Sequence, residues 1–266
     1  MVVGASVARM TDGPKRLPAV GLRDPVTMTV LRGWRSAVLR LGRHEFGTLL
    51  SVFVLASGLW VFIEIADEVV EGETRALDRA LLLALRNPSN LADPRGPPWL
   101  EEMGRDLTAL GGTALLSLFS LAVIAHLSLR QKPRSAAFVG VSVMGALGLS
   151  LALKHLFERP RPDLVPRLSY VMSSSFPSGH SMLSAAVYLT LGALLARFES
   201  NLLLKAHVPG WALLFTVLVG VSRVYMGVHW PTDVLAGWAA GAAWASLCWL
   251  VARALQRRGS VEVDHQ

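Results

Sequence analysis

Six long apolar runs dominate this sequence and restrict it to one class of fold. A helix needs about 20 apolar residues to cross the hydrocarbon core of a bilayer, and lipid-exposed backbone must satisfy its hydrogen bonds internally. We therefore predict an all-α, polytopic membrane protein with six transmembrane helices in a bundle. The predicted spans are Phe46–Ala66, Leu107–Leu129, Ala136–Lys154, Ser181–Arg197, Val208–Tyr225 and Thr232–Ala252.

The composition agrees with a membrane protein and argues against a nucleic-acid-binding one. Apolar residues make up 52% of the chain and charged residues 17%, whereas a soluble domain typically carries about a quarter charged residues. The net charge of +7 comes from arginine and lysine clustered beside the apolar runs, where they contact anionic headgroups. The single cysteine, Cys248, excludes an intrachain disulfide. We therefore expect membrane lipids as partners and no nucleic acid, and we find no signal for an oligomeric state.

Lysine and arginine residues mark one side of the predicted bundle. They precede the first span and follow the second and sixth spans. Because cytoplasmic loops carry an excess of Lys and Arg, we predict a multi-pass protein of the cell (inner) membrane with both termini cytoplasmic. The residues that set this orientation are Arg32, Arg35, Arg40, Arg43, Arg130, Lys132, Arg134, Arg253, Arg257 and Arg258.

Three parts follow from this organisation. Residues 1–45 form a cytoplasmic amino-terminal segment, 46–253 the six-helix membrane domain, and 254–266 a cytoplasmic tail. Two apolar stripes at helical spacing predict amphipathic helices, an interfacial one in the amino-terminal segment and another in the loop between spans one and two. The stripes are Leu31, Trp34, Val38 and Leu41, and Leu77, Leu81 and Leu85. In span six, Gly237 and Gly241 have the small-xxx-small spacing of a helix-packing contact.

Ionisable residues gather on the outer side of the predicted bundle, at the ends of spans three to six. Lys154, Arg161 and Arg223 are cations suited to a phosphate, arginine as a planar fork and lysine as a point charge. Ser178 and Gly179 precede span four, in a Pro-Ser-Gly-His turn that would present backbone amides and a hydroxyl to an anion. These residues predict a phosphate site facing the periplasm or the outside.

Two histidines supply the chemistry of this predicted site. Asp233 follows His229 by four residues, so it could orient one imidazole nitrogen and leave the other free as a nucleophile. His180 would then act as the general acid and base. This scheme needs no cofactor and no metal, since histidines on separate segments lack the spacing of a zinc motif.

The three motifs together resemble the signature of the type-2 phosphatidic acid phosphatase superfamily. They are Lys154…Arg161-Pro162, Pro177-Ser178-Gly179-His180 and Ser222-Arg223…His229…Asp233. The resemblance implies a six-helix bundle, His229 as nucleophile, Asp233 as its partner, His180 as acid, and a phosphate held by Lys154, Arg161, Ser178, Gly179 and Arg223. It covers the six spans and leaves out the amino-terminal stretch and the tail.

We therefore predict an integral membrane phosphatase that hydrolyses lipid phosphates or diphosphates through a phosphohistidine. Bacterial members of the family act on undecaprenyl diphosphate, phosphatidylglycerophosphate, phosphatidic acid or lipid A, and we rank undecaprenyl diphosphate first. A transporter or flippase for a phosphate-bearing lipid is the alternative. Against the alternative, the polar residues gather on one side rather than at the midplane, and no inverted repeat is visible.

Overall fold

A computed structural model describes residues 25–165, 173–196, 199 and 201–258 of this chain, with side chains from Phe46 onward. The chain divides into two compact units, 1–46 and 47–266, and every contact below lies within the second. The elements in chain order are α1 Pro25–Glu71, α2 Arg75–Ala84, β1 Arg86–Asn87, β2 Asn90–Pro94, α3 Pro98–Leu110, α4 Thr113–Leu129, α5 Pro133–Phe157, α6 Gly179–Ala196, α7 Leu202–Tyr225 and α8 Pro231–Arg257.

The helical architecture confirms the predicted fold class, with one change in the second span. Among the residues that the structure describes, five helices are long and apolar enough to cross a membrane: Phe46–Glu71 of α1, and α5, α6, α7 and α8. The predicted span Leu107–Leu129 is not one straight helix, because the chain bends by 48° between α3 and α4. Gly111 and Gly112 occupy the break, where glycine weakens a helix. The spans number six if this bent pair counts as one.

The amino-terminal predictions fall largely on residues outside this description. The backbone is helical from Pro25, so α1 runs without interruption from the predicted interfacial segment into the first span. The side chains of Leu31, Trp34, Val38 and Leu41, and residues 1–24, lie outside the described part of the chain. The division at 45 and 253 therefore stays a prediction.

Helix α6 forms the centre of the bundle and packs against α8 through small residues. A Cβ added to Gly237 would lie 2.8 Å from the carbonyl oxygen of Ser178, and one added to Gly241 would meet Met182 and Ala185. The two glycines thus let the backbones of α6 and α8 approach closely, which confirms the predicted packing contact. Because Ser178 and Asp233 begin these two helices, the contact also holds two predicted site residues together.

The connection between α1 and α3 contains the short helix α2 and a hairpin, and only the hairpin has no counterpart in the sequence predictions. Strands β1 and β2 pair antiparallel, with Arg86 opposite Pro94 and Asn87 opposite Asn90. Helix α2 lies where an amphipathic helix was expected, and its Leu77 and Leu81 are exposed. Its buried face carries Leu82 and, unexpectedly, Asp78, both with no exposed surface.

Candidate active site

One end of the bundle, which we call the site end, collects the predicted site residues. The carboxyl ends of α5 and α7 and the amino ends of α6 and α8 meet there. This follows because α5 is joined to α6, and α7 to α8, on this side of the bundle. Lys154 is in the last turn of α5, His180 begins α6, Arg223 ends α7 and Asp233 begins α8. The three sequence motifs therefore meet in space.

His229 lies between Arg161 and Asp233, and its hydrogen bonds define its tautomer. Nη1 of Arg161 is 3.0 Å from Nε2 of His229, and Oδ2 of Asp233 is 3.4 Å from Nδ1. Arginine can only donate, so Nε2 must offer its lone pair and Nδ1 carries the proton towards the carboxylate. His229 is therefore arranged as a neutral imidazole with a basic nitrogen on the side of the cations.

Burial also favours the neutral form of His229, which is 1% exposed. Desolvation lowers the pKa of His229 from its ordinary value of 6.5 to about 3. The hydrogen bond and the charge of Asp233 raise this pKa, while Arg161 and Arg223 lower it further. Burial is the largest of these effects, so the imidazole stays unprotonated near neutral pH.

The carboxylate of Asp233 is fixed on both of its oxygens. Its Oδ2 accepts hydrogen bonds from the Ser175 hydroxyl and from the backbone N–H of Trp230, the latter at 2.9 Å. Its Oδ1 accepts a hydrogen bond from Nη1 of Arg159 at 2.6 Å. Oδ2 is the oxygen that faces His229, so these bonds hold the orienting group in place.

The three predicted phosphate-binding cations differ in how they are held. Nζ of Lys154 donates to the carbonyl of Ser174 at 2.8 Å. Arg161 donates to the carbonyls of Ser173, Ser174 and Val228. Arg223 is 1% exposed, and none of its three guanidinium nitrogens has a hydrogen-bond partner within the described residues. A buried cation without partners is costly, so Arg223 is the group best suited to meet an anion.

The turn before α6 is built around Ser178 and Gly179. The Ser178 hydroxyl caps the helix, because its oxygen is 2.9 Å from the Ser181 hydroxyl, which donates to it, and 3.5 Å from the Ser181 N–H. Its backbone N–H donates to the Asp233 carbonyl at 2.9 Å, which ties the turn to α8. A Cβ on Gly179 would lie 3.1 Å from Cε of Lys154, so a glycine here lets the lysine approach the turn.

His180 lies among the same charges. Its electrostatic environment includes Arg223, His229, Lys154 and Arg161. A Cβ on Gly111 would lie 3.2 Å from the His180 carbonyl oxygen, so the break between α3 and α4 packs directly beside it. Both histidines therefore share one cationic pocket. Within the described ranges, no group of three or more His, Cys, Asp or Glu side chains is arranged to hold a metal ion.

Five residues around Asp233 were not among the predicted site residues: Thr74, Asp78, Arg159, Ser175 and Thr232. Arg159 was detectable in principle, since it stands two residues before Arg161 in an Arg-Pro-Arg-Pro run. Ser175 likewise stands beside the Pro-Ser-Gly-His turn. Asp78 carried no local signal, because an acidic residue beside an exposed leucine stripe is expected to face water.

The connection between α1 and α3 contacts the site at a second place. Nη2 of Arg86 in β1 donates to the Tyr225 carbonyl, at the end of α7, over 2.8 Å. The Thr108 and Ser222 hydroxyls are 2.7 Å apart. Arg86 is fully buried, and this burial lowers its pKa. The loop that carries His229 is therefore held from the α1–α3 connection as well as from α8.

Comparisons with known proteins cover the part of the chain that contains this site. The model of a family described as the PAP2 superfamily matches residues 135–257, which include every predicted site residue. Phosphatidylglycerophosphatase B of Bacillus subtilis is 38% identical over 149 residues, 54% of this chain and 71% of the relative. Undecaprenyl-diphosphatase of Sulfolobus acidocaldarius is 29% identical over 196 residues, which are 71% of this chain and 84% of the relative.

The fold is likewise similar to that of a solved structure. That solved structure is described as the first transmembrane PAP2 type phosphatidylglycerolphosphate phosphatase from Bacillus subtilis. The two superpose with a TM-score of 0.68 at 29% sequence identity, over 77% of this chain and 98% of the other. The similarity thus extends beyond the three motifs to the arrangement of the helices.

Proposed function

This chain belongs to the PAP2 superfamily, and we propose that it hydrolyses the terminal phosphate of a membrane lipid through a phosphohistidine. The two relatives described above are named as lipid phosphatases. One observation carries the proposal. Nε2 of His229 keeps its lone pair and lies beside Arg161, while Asp233 accepts from Nδ1. A neutral, oriented imidazole beside fixed cations is what attack on a phosphate requires.

The first half-reaction forms the phosphohistidine. The Nε2 lone pair of His229 forms a bond to phosphorus as the bond from phosphorus to the leaving oxygen breaks. His180 gives its proton to that oxygen. Lys154, Arg161 and Arg223 stabilise the negative charge on the equatorial oxygens, as do the backbone amides that follow Ser178 and Gly179.

The second half-reaction releases inorganic phosphate. A water oxygen attacks phosphorus, its proton passes to His180, and the bond between phosphorus and nitrogen breaks with its electron pair returning to Nε2. Both histidines then regain their starting protonation states. No step in this cycle draws on a cofactor, and the hydrogen bond from Nδ1 of His229 to Asp233 persists throughout.

The experiment measures phosphate release from lipid phosphates by the purified protein in detergent with a chelator present. His229→Ala should reduce the rate by at least about a thousandfold, because no other group can form the intermediate. His155→Ala is the matched control, since His155 is exposed beside Lys154 and should keep full activity. An active His229→Ala protein would refute the mechanism, and a strict requirement for added divalent metal would refute its metal-free form.

A trapping experiment tests the intermediate itself. His180→Ala should accumulate labelled protein after mixing with a lipid diphosphate that carries radioactive terminal phosphate. The phosphate leaving group of a diphosphate departs with little need for an acid, so the intermediate still forms, but this variant cannot activate the water that hydrolyses it. The label should be stable in base and lost in acid, as expected for a phosphorus–nitrogen bond. His180→Ala protein that turns over normally, or a label that resists acid, would contradict the assigned roles.

For the substrate, the two relatives described above point to different lipids. One is named for phosphatidylglycerophosphate and the other for undecaprenyl diphosphate, the lipid that we rank first. Catalytic efficiency should be compared on both, with phosphatidic acid and lipid A alongside. A higher value for phosphatidylglycerophosphate would reverse our ranking, and substrate movement across vesicles without phosphate release would favour the flippase alternative.

We also propose that the site end faces the periplasm or the outside and that both termini are cytoplasmic. The basic residues Arg130, Lys132 and Arg253 lie at the opposite end of the second unit, as the positive-inside rule requires. In a Cys248→Ala background, Ser89→Cys in the hairpin should react with an impermeant maleimide on intact cells. Gln131→Cys, between α4 and α5, should react only after lysis; the opposite pattern would invert the orientation.

A further inference from the structure

Arg159 joins two buried carboxylates that come from distant parts of the chain. Its Nη1 donates to Oδ1 of Asp233 at 2.6 Å, and its Nη2 donates to Oδ2 of Asp78 at 2.7 Å. The same two nitrogens also donate to the hydroxyls of Thr232 and Thr74, at 2.9 and 3.3 Å. The guanidinium nitrogens Nη1 and Nη2 thus donate to protein side chains, which distinguishes Arg159 from the cations assigned to phosphate.

Asp78 also anchors the first turn of α8. Its Oδ1 accepts from the backbone N–H of Thr232 at 3.0 Å, and its Oδ2 accepts from the Thr232 hydroxyl at 2.7 Å. The N-cap residue of α8, Trp230, has no side-chain oxygen to cap the first turn. Asp233 accepts from the Trp230 N–H, and the Thr232 N–H needs an acceptor from elsewhere in the chain. Asp78 performs this capping from α2, 154 residues earlier in the sequence.

These contacts form a continuous path to the nucleophile. Asp78 holds Arg159, Arg159 holds Oδ1 of Asp233, and Oδ2 of Asp233 faces Nδ1 of His229. Asp78 and Asp233 are fully buried, and the Arg159 side chain is 11% exposed. Water therefore has little access to these charges, and each depends on its partners for its orientation.

We propose that Asp78 and Arg159 are positioning residues for the reaction, which they influence through Asp233 and His229. This inference rests on the proposed function, since it requires His229 to be the nucleophile. Asp78 lies outside residues 135–257, the part of the chain that the family model matches. The connection between α1 and α3 therefore contributes to the geometry of a site built by the last four helices. The proposal predicts an effect on the chemical step and little effect on substrate binding.

The physical reason is rotation of the Asp233 carboxylate. Without the charge of Asp78, Arg159 has one anionic partner instead of two, and the acceptor for the Thr232 N–H and hydroxyl becomes neutral. The guanidinium can then draw Oδ1 of Asp233 out of its present plane, which moves Oδ2 away from His229. A nucleophile that is misaligned by a fraction of an ångström reacts more slowly but leaves the phosphate cradle intact.

Asp78→Asn tests this with the smallest change of shape. It should lower kcat about tenfold and leave KM within about twofold, since one coupled charge contact contributes about 1–2 kcal/mol. Glu73→Gln is the matched control, because Glu73 is an exposed acid in the same connection and should leave both constants unchanged. A normal kcat for Asp78→Asn would refute the proposal.

A double-mutant cycle separates positioning from a structural role. In an Asp233→Asn background, Asp78→Asn should cost less than about twofold further, because its effect passes through the missing carboxylate. A purely structural role would give the same loss in both backgrounds and would overturn the proposal. Arg159→Lys, which cannot bridge both carboxylates, repeats the cycle if Asp78→Asn does not fold, as judged by thermal unfolding in detergent.

His229→Ala is measured alongside, with one short-chain phosphatidic acid as the substrate for every variant in these experiments. An inactive His229→Ala protein with a normal Asp78→Asn protein would overturn only the positioning role. An active His229→Ala protein would overturn the proposed function, whatever Asp78→Asn does. Failure of the positioning role and failure of the proposed function therefore give different results.

Discussion

Arg159 and Arg223 are arginines at the same end of the bundle, but their surroundings are opposite. Arg159 donates to two carboxylates and two hydroxyls, so its charge and its hydrogen-bonding groups are balanced. Arg223 is more deeply buried, and its guanidinium nitrogens have no partner within the described residues. Residue type alone would assign both to phosphate binding, whereas their contacts assign only Arg223 to it.

The same contrast divides the site into two regions around His229. The supporting region consists of Asp78, Arg159, Ser175 and Asp233, and its members hydrogen-bond one another on the Nδ1 side of the imidazole. The substrate-facing region, named for the role that we propose for it, consists of Lys154, Arg161 and Arg223, of which Arg161 lies against Nε2. A satisfied buried network contributes stability, while an unsatisfied buried cation reduces it. Arg159 and Arg223 should therefore respond oppositely to the same substitution.

The largest expected effect is on activity, from Arg223→Met. This variant should lose about a thousandfold in kcat/KM, the upper range for removal of a fixed donor to developing charge. Its thermal unfolding midpoint in detergent should stay equal or rise, because an unpartnered buried charge is replaced by an apolar side chain. Arg79→Met, on the exposed face of α2, is the control. A clear fall in the midpoint would contradict our assignment of Arg223.

The same substitution at Arg159 should instead destabilise the protein. Arg159→Met leaves Asp78 and Asp233 buried without their shared cation, and such a broken pair typically costs about 3 kcal/mol or more. The unfolding midpoint should fall well below that of Arg223→Met under identical conditions. Equal midpoints for the two variants would remove the distinction between the regions.

Sequence reasoning predicted the cations that the structure brings together around His229 but missed most of the supporting region, for a physical reason. Lys154, Arg161, Arg223 and His229 are ionisable residues at the ends of apolar spans, where their presence is unusual enough to notice. Asp78 lies on a short amphipathic helix, where an acid on the polar face is ordinary. Its burial depends on how α2 packs against α8, which no local pattern in either segment encodes.

The prediction of the membrane-spanning helices has a similar limit. The apolar runs predicted the spans because lipid requires long apolar helices, but hydropathy does not register a bend. Gly111 and Gly112 break the second span while the hydropathy remains high on both sides. The packing glycines of span six were predictable because Gly237 and Gly241 show their spacing directly in the sequence.

Gly237 should link the two regions, since Ser178 and Asp233 meet at the contact between α6 and α8. In Gly237→Ala the new methyl group would lie 2.8 Å from the Ser178 carbonyl and 3.0 Å from Cβ of Ser181, so the helices must separate. We expect a loss of about 2 kcal/mol in stability together with reduced kcat. Gly148→Ala is the control, because a Cβ there meets nothing within 4 Å. Unchanged stability and activity in Gly237→Ala would contradict the close contact.

The smallest expected effect concerns pH and reports on His229, which lies between the two regions. Its pKa is lowered to about 3 by burial, so below about pH 6.5 the unfolded chain binds a proton that the folded chain does not. Stability contributed by the neutral imidazole is therefore complete above pH 6.5 and is lost as the pH falls towards the folded pKa. Between about pH 7.5 and 5.5 the loss from this group should be about 1 kcal/mol. The unfolding midpoint of the wild-type protein should accordingly fall more over this interval than that of His229→Gln, which has no proton to gain. Parallel curves for the two proteins would show that His229 titrates normally and that burial does not keep it neutral.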